Sequence, residues 1–165
     1  MEFHNTPKLT DEVTTALRTQ CAKRACTMAL ILDEANAAGA RGVEYTRRAV
    51  YKYGQFGGQD IRKKMKNPDD LEEFAEYFGV GLDANIYEME RLVWDEKRLY
   101  IDFHYCPYVA EWLKIGREHK EIGELCEIAM EGDRAIEDTF AAFRFTLGKT
   151  IAKGDRVCQI RFDKT

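Results

Sequence analysis

The sequence predicts an α+β domain: an N-terminal helical layer packed on a C-terminal four-stranded antiparallel sheet with inserted helices. Three observations predict it. Apolar residues recur at helical spacing through the first half. From about residue 84 the period drops to two, as in half-buried strands. Two turn signals, Trp94-Asp95-Glu96-Lys97 and Lys153-Gly154-Asp155, fold the alternating runs back on themselves. A chain of 165 residues makes one domain over 1–165. Residues 1–9 lie outside the pattern and are expected to be flexible. Residues 10–78 are mainly helical, and 84–163 hold the sheet plus two helices.

The first helix starts at Thr10 and Asp11, a capping pair. Val13, Leu17, Cys21, Met28, Leu32 and Ala35 form its apolar stripe, and Gly39 and Gly42 end it. A second helix runs from about Glu44 to Lys66, with Tyr45, Ala49, Tyr53, Phe56 and Ile61 on its buried side. Gly54, Gly57 and Gly58 lie inside it, each at a cost of about 1 kcal/mol against alanine. They imply close approach of another element or a ligand, and packing is the simpler reason. Pro68 opens a short third helix through Phe78, closed by Gly79 and Gly81.

Ile86–Val93 and Arg98–Cys106 then form a hairpin. In its second strand Leu99, Ile101, Phe103 and Tyr105 face one way. Tyr100, Asp102, His104 and Cys106 face the other. Pro107 ends the strand and opens a helix through Ile115. Another helix spans about Glu121–Phe140. Strands Phe143–Thr150 and Arg156–Phe162 complete the sheet.

Composition narrows the function. Apolar residues make up 45% of the chain, enough for a core, so long disorder is excluded. The 25 Lys+Arg face 29 Asp+Glu, a net charge of −4. The densest basic run, Arg62, Lys63, Lys64 and Lys66, is followed at once by Asp69, Asp70, Glu72 and Glu73. No uncompensated basic face exists, so nucleic acid is not an expected partner. The longest uncharged apolar stretch, around Thr27–Leu32, is far short of the roughly 18–20 residues of a membrane span. The opening MEFHNTPKLTDE has acids and no apolar core, unlike a signal peptide. A cytoplasmic protein with no membrane partner is expected.

The five cysteines are Cys21, Cys26, Cys106, Cys126 and Cys158. No CxxC pair exists, so zinc-ribbon and thioredoxin readings fail. Without an export signal, disulfides are not expected. Each is either a small buried hydrophobe or a site thiol. Cys21 lies on the first helix's stripe and reads as core. P-loop, dinucleotide, HExxH, GxSxG and EF-hand patterns are all missing from the sequence.

Two constellations carry chemistry. In Asp102-Phe103-His104-Tyr105-Cys106-Pro107, alternation puts His104 and Cys106 on one face, about 6–7 Å apart at Cα. A histidine beside a cysteine favours thiolate, and the helix opening at Pro107 adds its positive end. A polar strand face with an incidental thiol is the plainer reading. In the helix around Leu125–Asp133, the stripe Ile122, Cys126, Ala129, Asp133, Ile136 and Phe140 contains one carboxylate. A buried carboxylate is costly unless partnered. Cys126 and Asp133 share an azimuth about 10.5 Å apart along the axis, with small Ala129 between them. A shallow pocket there is one reading; an Asp133 paired with a neighbouring arginine or capping a backbone group is the other. Cys158 alternates with Ile160 and Phe162 and alone reads as core. Arg144, Lys149, Arg156 and Arg161 are available to hold a substrate carboxylate, although a plain surface position explains each equally. Cys106, Cys126, Asp133 and Cys158 are also metal-ligand types. No cofactor is required, and a divalent metal stays open.

YCPYVAEWLKIG, ELCEIAMEGDRAI and FRFTLGKTIAKGDRVCQIRF resemble, in order and spacing, the C-terminal pattern of the L-2-amino-thiazoline-4-carboxylic acid hydrolase family. That pattern has a Cys-Pro strand end, a Leu-Cys helix and a closing Gly-Asp-x-x-Cys strand. AVYKYGQFGGQDI resembles the family's glycine-bearing N-terminal helix. The resemblance spans residues 10–163 and is specific after Tyr100. It places Cys106, Cys126 and Cys158 at motif positions, and leaves Cys21 and Cys26 outside them. Lys149-Thr150 departs from the family's more Arg/Thr-rich run.

The resemblance implies a small-molecule hydrolase that opens a cyclic amidine-like thioether to an N-carbamoyl amino acid. Cys106, helped by His104, attacks C2 of the ring, or His104 activates a water to do so. Asp133 protonates the ring nitrogen or holds the exocyclic amine. Lys149 or Arg161 binds the substrate carboxylate, and Cys126, Ala129 and Cys158 line the pocket. Two other classes stay open: a ligand-binding sensor, loosely similar to 4-vinyl-reductase-like domains, and a metal-binding accessory protein. The expected partner is a small substrate bearing a carboxylate; homo-oligomer formation is open.

Overall fold

The computed structural model describes residues 2–165. Helix α1 spans Glu12–Ala37, and the Asp11 carboxylate caps it by accepting the Thr14 N–H at 2.9 Å. Its stripe is rotated from the predicted one. Thr14, Arg18, Ala25, Ala29 and Leu32 are buried, while Val13 is 54% exposed. Alanines let another helix approach closely: the Trp112 indole N–H donates to the Ala25 carbonyl at 3.0 Å. Arg18 faces inward because every direction offers it an acceptor. It donates to the carbonyls of Leu9, Asn85 and Ile86 and pairs with Glu88 at 2.9 Å, its guanidinium over the Tyr105 ring.

Helix α2 spans Gly42–Lys64 and inverts most of the predicted face, although Ile61 packs on the core as expected. Gly42, Gly54 and Gly58 are buried, and Tyr45, Tyr53 and Phe56 are exposed. The aromatics lie outside because the glycine face is occupied by another helix. A Cβ on Gly54 would sit 2.7 Å from Gly132 Cα, and one on Gly58 2.8 Å from Thr139 Cγ2. The close approach expected of these glycines is therefore made, by a helix.

Asp70 caps α3, Leu71–Ala75, which is shorter than the predicted third helix. Helix α4, Leu82–Tyr87, takes residues read as the start of a strand. Glu88 ends it in the left-handed region at φ 50°, so the hairpin begins only at Met89. Strands β1, Met89–Trp94, and β2, Arg98–Phe103, flank the predicted turn. Helix α5 runs from Pro107 to Lys114. The predicted long helix divides at Met130 into α6, His119–Ala129, and α7, Glu131–Glu137. Strands β3, Phe143–Leu147, and β4, Cys158–Lys164, follow, with a 3₁₀ turn over Ile151–Lys153 between them.

The four strands form one antiparallel sheet in the order β1-β2-β4-β3. The predicted alternation of β2 holds: Leu99 and Ile101 are buried, and Tyr100 and Asp102 pair outward with Asp163 and Arg161. Two apolar clusters result. One lies between the sheet and α3, around Phe74, Leu99, Phe145 and Phe162. The other joins α1, α5, α6 and the 3₁₀ turn around Trp112, Ile122, Cys126, Ile151 and Cys158. Phe103 and Met130 border both.

The opening segment was expected to be flexible; Met1 lies outside the described residues. From Phe3 to Leu9 the chain is irregular but tied down. Phe3 packs edge-on to His119, and the Lys8 and Leu9 N–H groups donate to Glu88. No helix among the described residues is long and apolar enough to cross a membrane.

Candidate active site

Cys106 is the N-cap of α5, at φ −133° and ψ 107°. Pro107 at the first helical position fixes this exit from β2. Asn5 holds the Cys106 backbone on both sides: its amide donates to the Cys106 carbonyl at 2.9 Å, and its oxygen accepts the Cys106 N–H at 2.8 Å. The thiol sits at the helix start, as predicted. Burial is nevertheless the larger influence. It raises the thiol to about 11 against the opposing pull of the Val109 and Tyr108 N–H groups. In the free protein Cys106 is a thiol at neutral pH.

His104 is not hydrogen-bonded to it. Its Nε2 lies 2.9 Å from Glu90 on the adjacent strand, and no hydrogen bond among the described residues joins it to Cys106. Strand geometry ends at Phe103, so the alternation that aligned His104 with Cys106 stops short of the cysteine.

The three late cysteines do converge. Cys106, Cys126 and Cys158 share one apolar cluster, on which Ala129 also packs. Cys158 lies opposite Phe103 in the sheet register, and its sulfur accepts the Ile151 N–H at 3.3 Å. Burial pushes Cys126 up to about 12, and the nearby Cys106 and Asp133 add to it. Burial raises Cys158 likewise, with Cys106 and Cys126 contributing.

Asp133, at the start of α7, is the exceptional group. Its neighbour Arg134 pairs with Glu127 and Glu131 instead. Among the described residues Asp133 has no salt bridge, so the alternative in which it pairs with an arginine is not realised. Burial lifts its carboxyl to about 6, against the weaker pull of Arg134.

Around these groups stand residues the sequence did not single out. Tyr87, from α4, is half-buried and pushed well up, first by desolvation and then by Tyr108, Cys106, Cys21 and Asp133. Tyr108 is raised by burial to about 12. Burial also raises Cys21, which stands beside Arg24 and Tyr87. Cys21 therefore belongs to this cluster and not to an inert stripe. The signals were present. The run CAKRAC places Cys21 and Arg24 three apart on one helix face, and YCPY sets Tyr108 beside Cys106.

The cations predicted to hold a carboxylate lie elsewhere. Arg161 is bound on the outer sheet face by Asp102 and by the carbonyls of Ile101 and Ile160. It alternates with inward-facing Cys158 and Ile160 and so points away from the thiols. Lys149 is exposed beyond β3, where its N–H donates to Gln159. The proposed metal set does not close either: no group of three His, Cys, Asp or Glu among the described residues is arranged to hold an ion. Two surface hollows, one at the α1–α2 turn and one between α6 and the 3₁₀ turn, have their acids paired with local cations. Ala129 lines neither.

The family model for L-2-amino-thiazoline-4-carboxylic acid hydrolase matches residues 18–162 of the chain. The chain belongs to that family. No curated protein and no solved structure matches it. The hydrolase match takes in Cys21, Tyr87, Cys106, Tyr108, Cys126, Asp133 and Cys158, and so the whole cluster. Asn5, which fixes the Cys106 backbone, lies outside it.

Proposed function

We propose that this hydrolase opens a cyclic amidine of the 2-amino-thiazoline carboxylate type to an N-carbamoyl amino acid, with Cys106 and Asp133 as its catalytic residues. The observation that carries this reading is Asp133: a carboxylate with no salt bridge among the described residues, held near 6, whose charge acts on the Cys126 thiol and the Tyr87 phenol, both of which also feel Cys106. Such a group accepts a proton readily at neutral pH and returns it readily. It also complements an amidinium, whose two N–H groups match a carboxylate.

Bound amidinium brings positive charge beside Cys106. That charge lowers the thiol from its resting value near 11, as any adjacent cation does. The Cys106 proton passes to Asp133 as sulfur bonds to C2. The C2–ring sulfur bond then breaks, and Asp133 returns the proton to the departing sulfur. Water adds to the remaining isothiouronium carbon, giving a proton to Asp133. Collapse releases the N-carbamoyl product and restores the Cys106 thiol. The proton that the amidinium brought leaves to solvent from Asp133. His104 and the Lys149/Arg161 pair have no part in this scheme, because their side chains are engaged or placed elsewhere.

The test is turnover of 2-amino-thiazoline-4-carboxylate with intact-mass analysis. Rapid acid quench of the wild-type enzyme is expected to show protein heavier by one whole substrate, since ring opening loses no atoms. Cys106→Ala is expected to lose that species and about 10³-fold or more in kcat. Near-normal turnover in Cys106→Ala and Cys106→Ser alike overturns the nucleophile.

A further inference from the structure

Arg24, on α1, has no hydrogen bond or salt bridge to any described residue. Most of the other arginines are committed. Arg18 holds Glu88, Arg47 holds Glu131, Arg117 holds Asp33, Arg134 holds Glu127 and Arg161 holds Asp102. Arg24 instead meets two aromatic rings. Its guanidinium carbon lies 5.4 Å from the Tyr53 centroid and 6.0 Å from that of Tyr108. Stacking on rings limits the side chain's freedom while leaving its N–H fork open. The residue is exposed, and Tyr53 is 62% exposed, so this fork stands at the protein surface.

Its neighbours connect it to the reacting groups. Its ring partner Tyr108 packs on the same apolar cluster as Cys106, and its charge acts on Cys21, Tyr87 and Tyr108; Tyr87 in turn feels Cys106 and Asp133. Tyr87 is thus linked electrostatically both to an uncommitted cation, Arg24, and to a carboxylate with no salt bridge among the described residues, Asp133. A ligand that satisfies both carries an anion at one end and a cation at the other. Resting on the function proposed above, we infer that Arg24 is the carboxylate anchor of this site and selects zwitterionic cyclic amidines, with Asp133 taking the amidinium end. The cations of Lys149 and Arg161 are not needed for this.

The test compares wild type, Arg24→Lys and Arg24→Gln by calorimetric titration with 2-amino-thiazoline-4-carboxylate and with 2-amino-thiazoline, which lacks the carboxylate. Wild type is expected to prefer the carboxylate by about 10- to 100-fold, the range of one charge-assisted contact. Arg24→Gln is expected to abolish that preference with its melting temperature unchanged. Arg24→Lys is expected to keep part of it. An undiminished preference in Arg24→Gln overturns the anchor. A second readout does not depend on the hydrolase reading. The rate ratio of iodoacetate to iodoacetamide at Cys106, measured at pH 9 by peptide mass spectrometry, is expected to fall about tenfold in Arg24→Gln. An unchanged ratio overturns the anion site whatever the enzyme hydrolyses. A fall in that ratio without any thiazoline hydrolysis in wild type overturns the proposed reaction and leaves the anion site standing.

Discussion

Gly54 of α2 and Gly132 of α7 meet backbone to backbone. A Cβ on Gly54 would fall 2.7 Å from Gly132 Cα and 2.9 Å from the Ala135 methyl, and closer still to the Gly132 carbonyl. Asp133 follows Gly132 directly, so this contact sets where the site's carboxylate stands. The neighbouring Gly57 differs: a methyl there would find only Ile136 Cδ1, at 4.0 Å.

Gly54→Ala is therefore expected to cost about 3 kcal/mol, the upper end of overpacking, because backbone cannot yield as a side chain can. The melting temperature is expected to fall by about 10 °C. Gly57→Ala is expected to gain about 0.5–1 kcal/mol from the lost flexibility of a helix-interior glycine. Thermal unfolding of the two variants side by side is the check. Equal effects would mean that the α2–α7 contact does not depend on the missing Cβ.

The pair Arg18–Glu88 ties α1, the end of α4 and the irregular segment before α1 to one point. Burial raises the Glu88 carboxyl, but the Leu9 and Lys8 N–H groups and Arg18 outweigh it and leave the group below its ordinary value. A depressed carboxylate contributes stability above its unfolded pKa and loses it as pH falls through the folded one. Both side chains are largely buried, at 9% and 7% exposure. Glu88→Ala at pH 7 is expected to cost about 3–5 kcal/mol by stranding Arg18. The difference from wild type is expected to narrow below pH 4, where wild-type Glu88 protonates. A pH-independent difference in unfolding free energy would count against the charge as its source.

Cys106 is expected to resist alkylation at pH 7 and to label about tenfold faster per pH unit toward 11, because only thiolate reacts. Saturating 2-amino-thiazoline, which is small and cationic, is expected to raise the thiolate fraction at pH 8. Ultraviolet absorbance of thiolate, with Cys106→Ser as the reference, reports this directly. No rise on ligand addition would remove the activation step proposed for the reaction.

What was legible in the sequence followed from period. Alternation put Leu99 and Ile101 on one face of β2 and read the Cys158, Ile160 and Phe162 row as core; Leu99, Ile101, Ile160 and Phe162 are all buried. Pro107 marked the start of α5 correctly; that Cys106, Cys126 and Cys158 share one apolar cluster was not legible from their spacing. Helix faces were less legible. The large apolar residues of α2 were assigned inward, whereas glycine turned inward and Tyr45, Tyr53 and Phe56 out. A hydrophobic count cannot register a face whose value is the absence of side chains. The His104–Cys106 pairing failed because strand alternation was extended three residues past the last ladder position, Phe103. Arg24 escaped notice because its distinction is the lack of a partner, which is a property of the fold and not of the run CAKRAC.

Asp133 gives the most direct test, because stability and activity move in opposite directions there. Burial raises its carboxyl from an ordinary 3.8 to about 6. A raised carboxyl favours the folded state fully below pH 3.8, and that advantage is lost as pH rises through 6. Above that pH the folded protein carries a desolvated charge. Asp133→Asn removes it and is expected to stabilise the protein by about 1–2 kcal/mol at pH 8, the full linkage value being reduced for partial exposure. The gain is expected to vanish near pH 4. Activity is expected to go the other way. Wild-type kcat/KM is expected to rise with pH through about 6 as Asp133 ionises, and Asp133→Asn to lose about 10²–10³-fold with no such rise. A variant that keeps the rising limb would assign that ionisation to another group and leave Asp133 as a buried charge without a catalytic part.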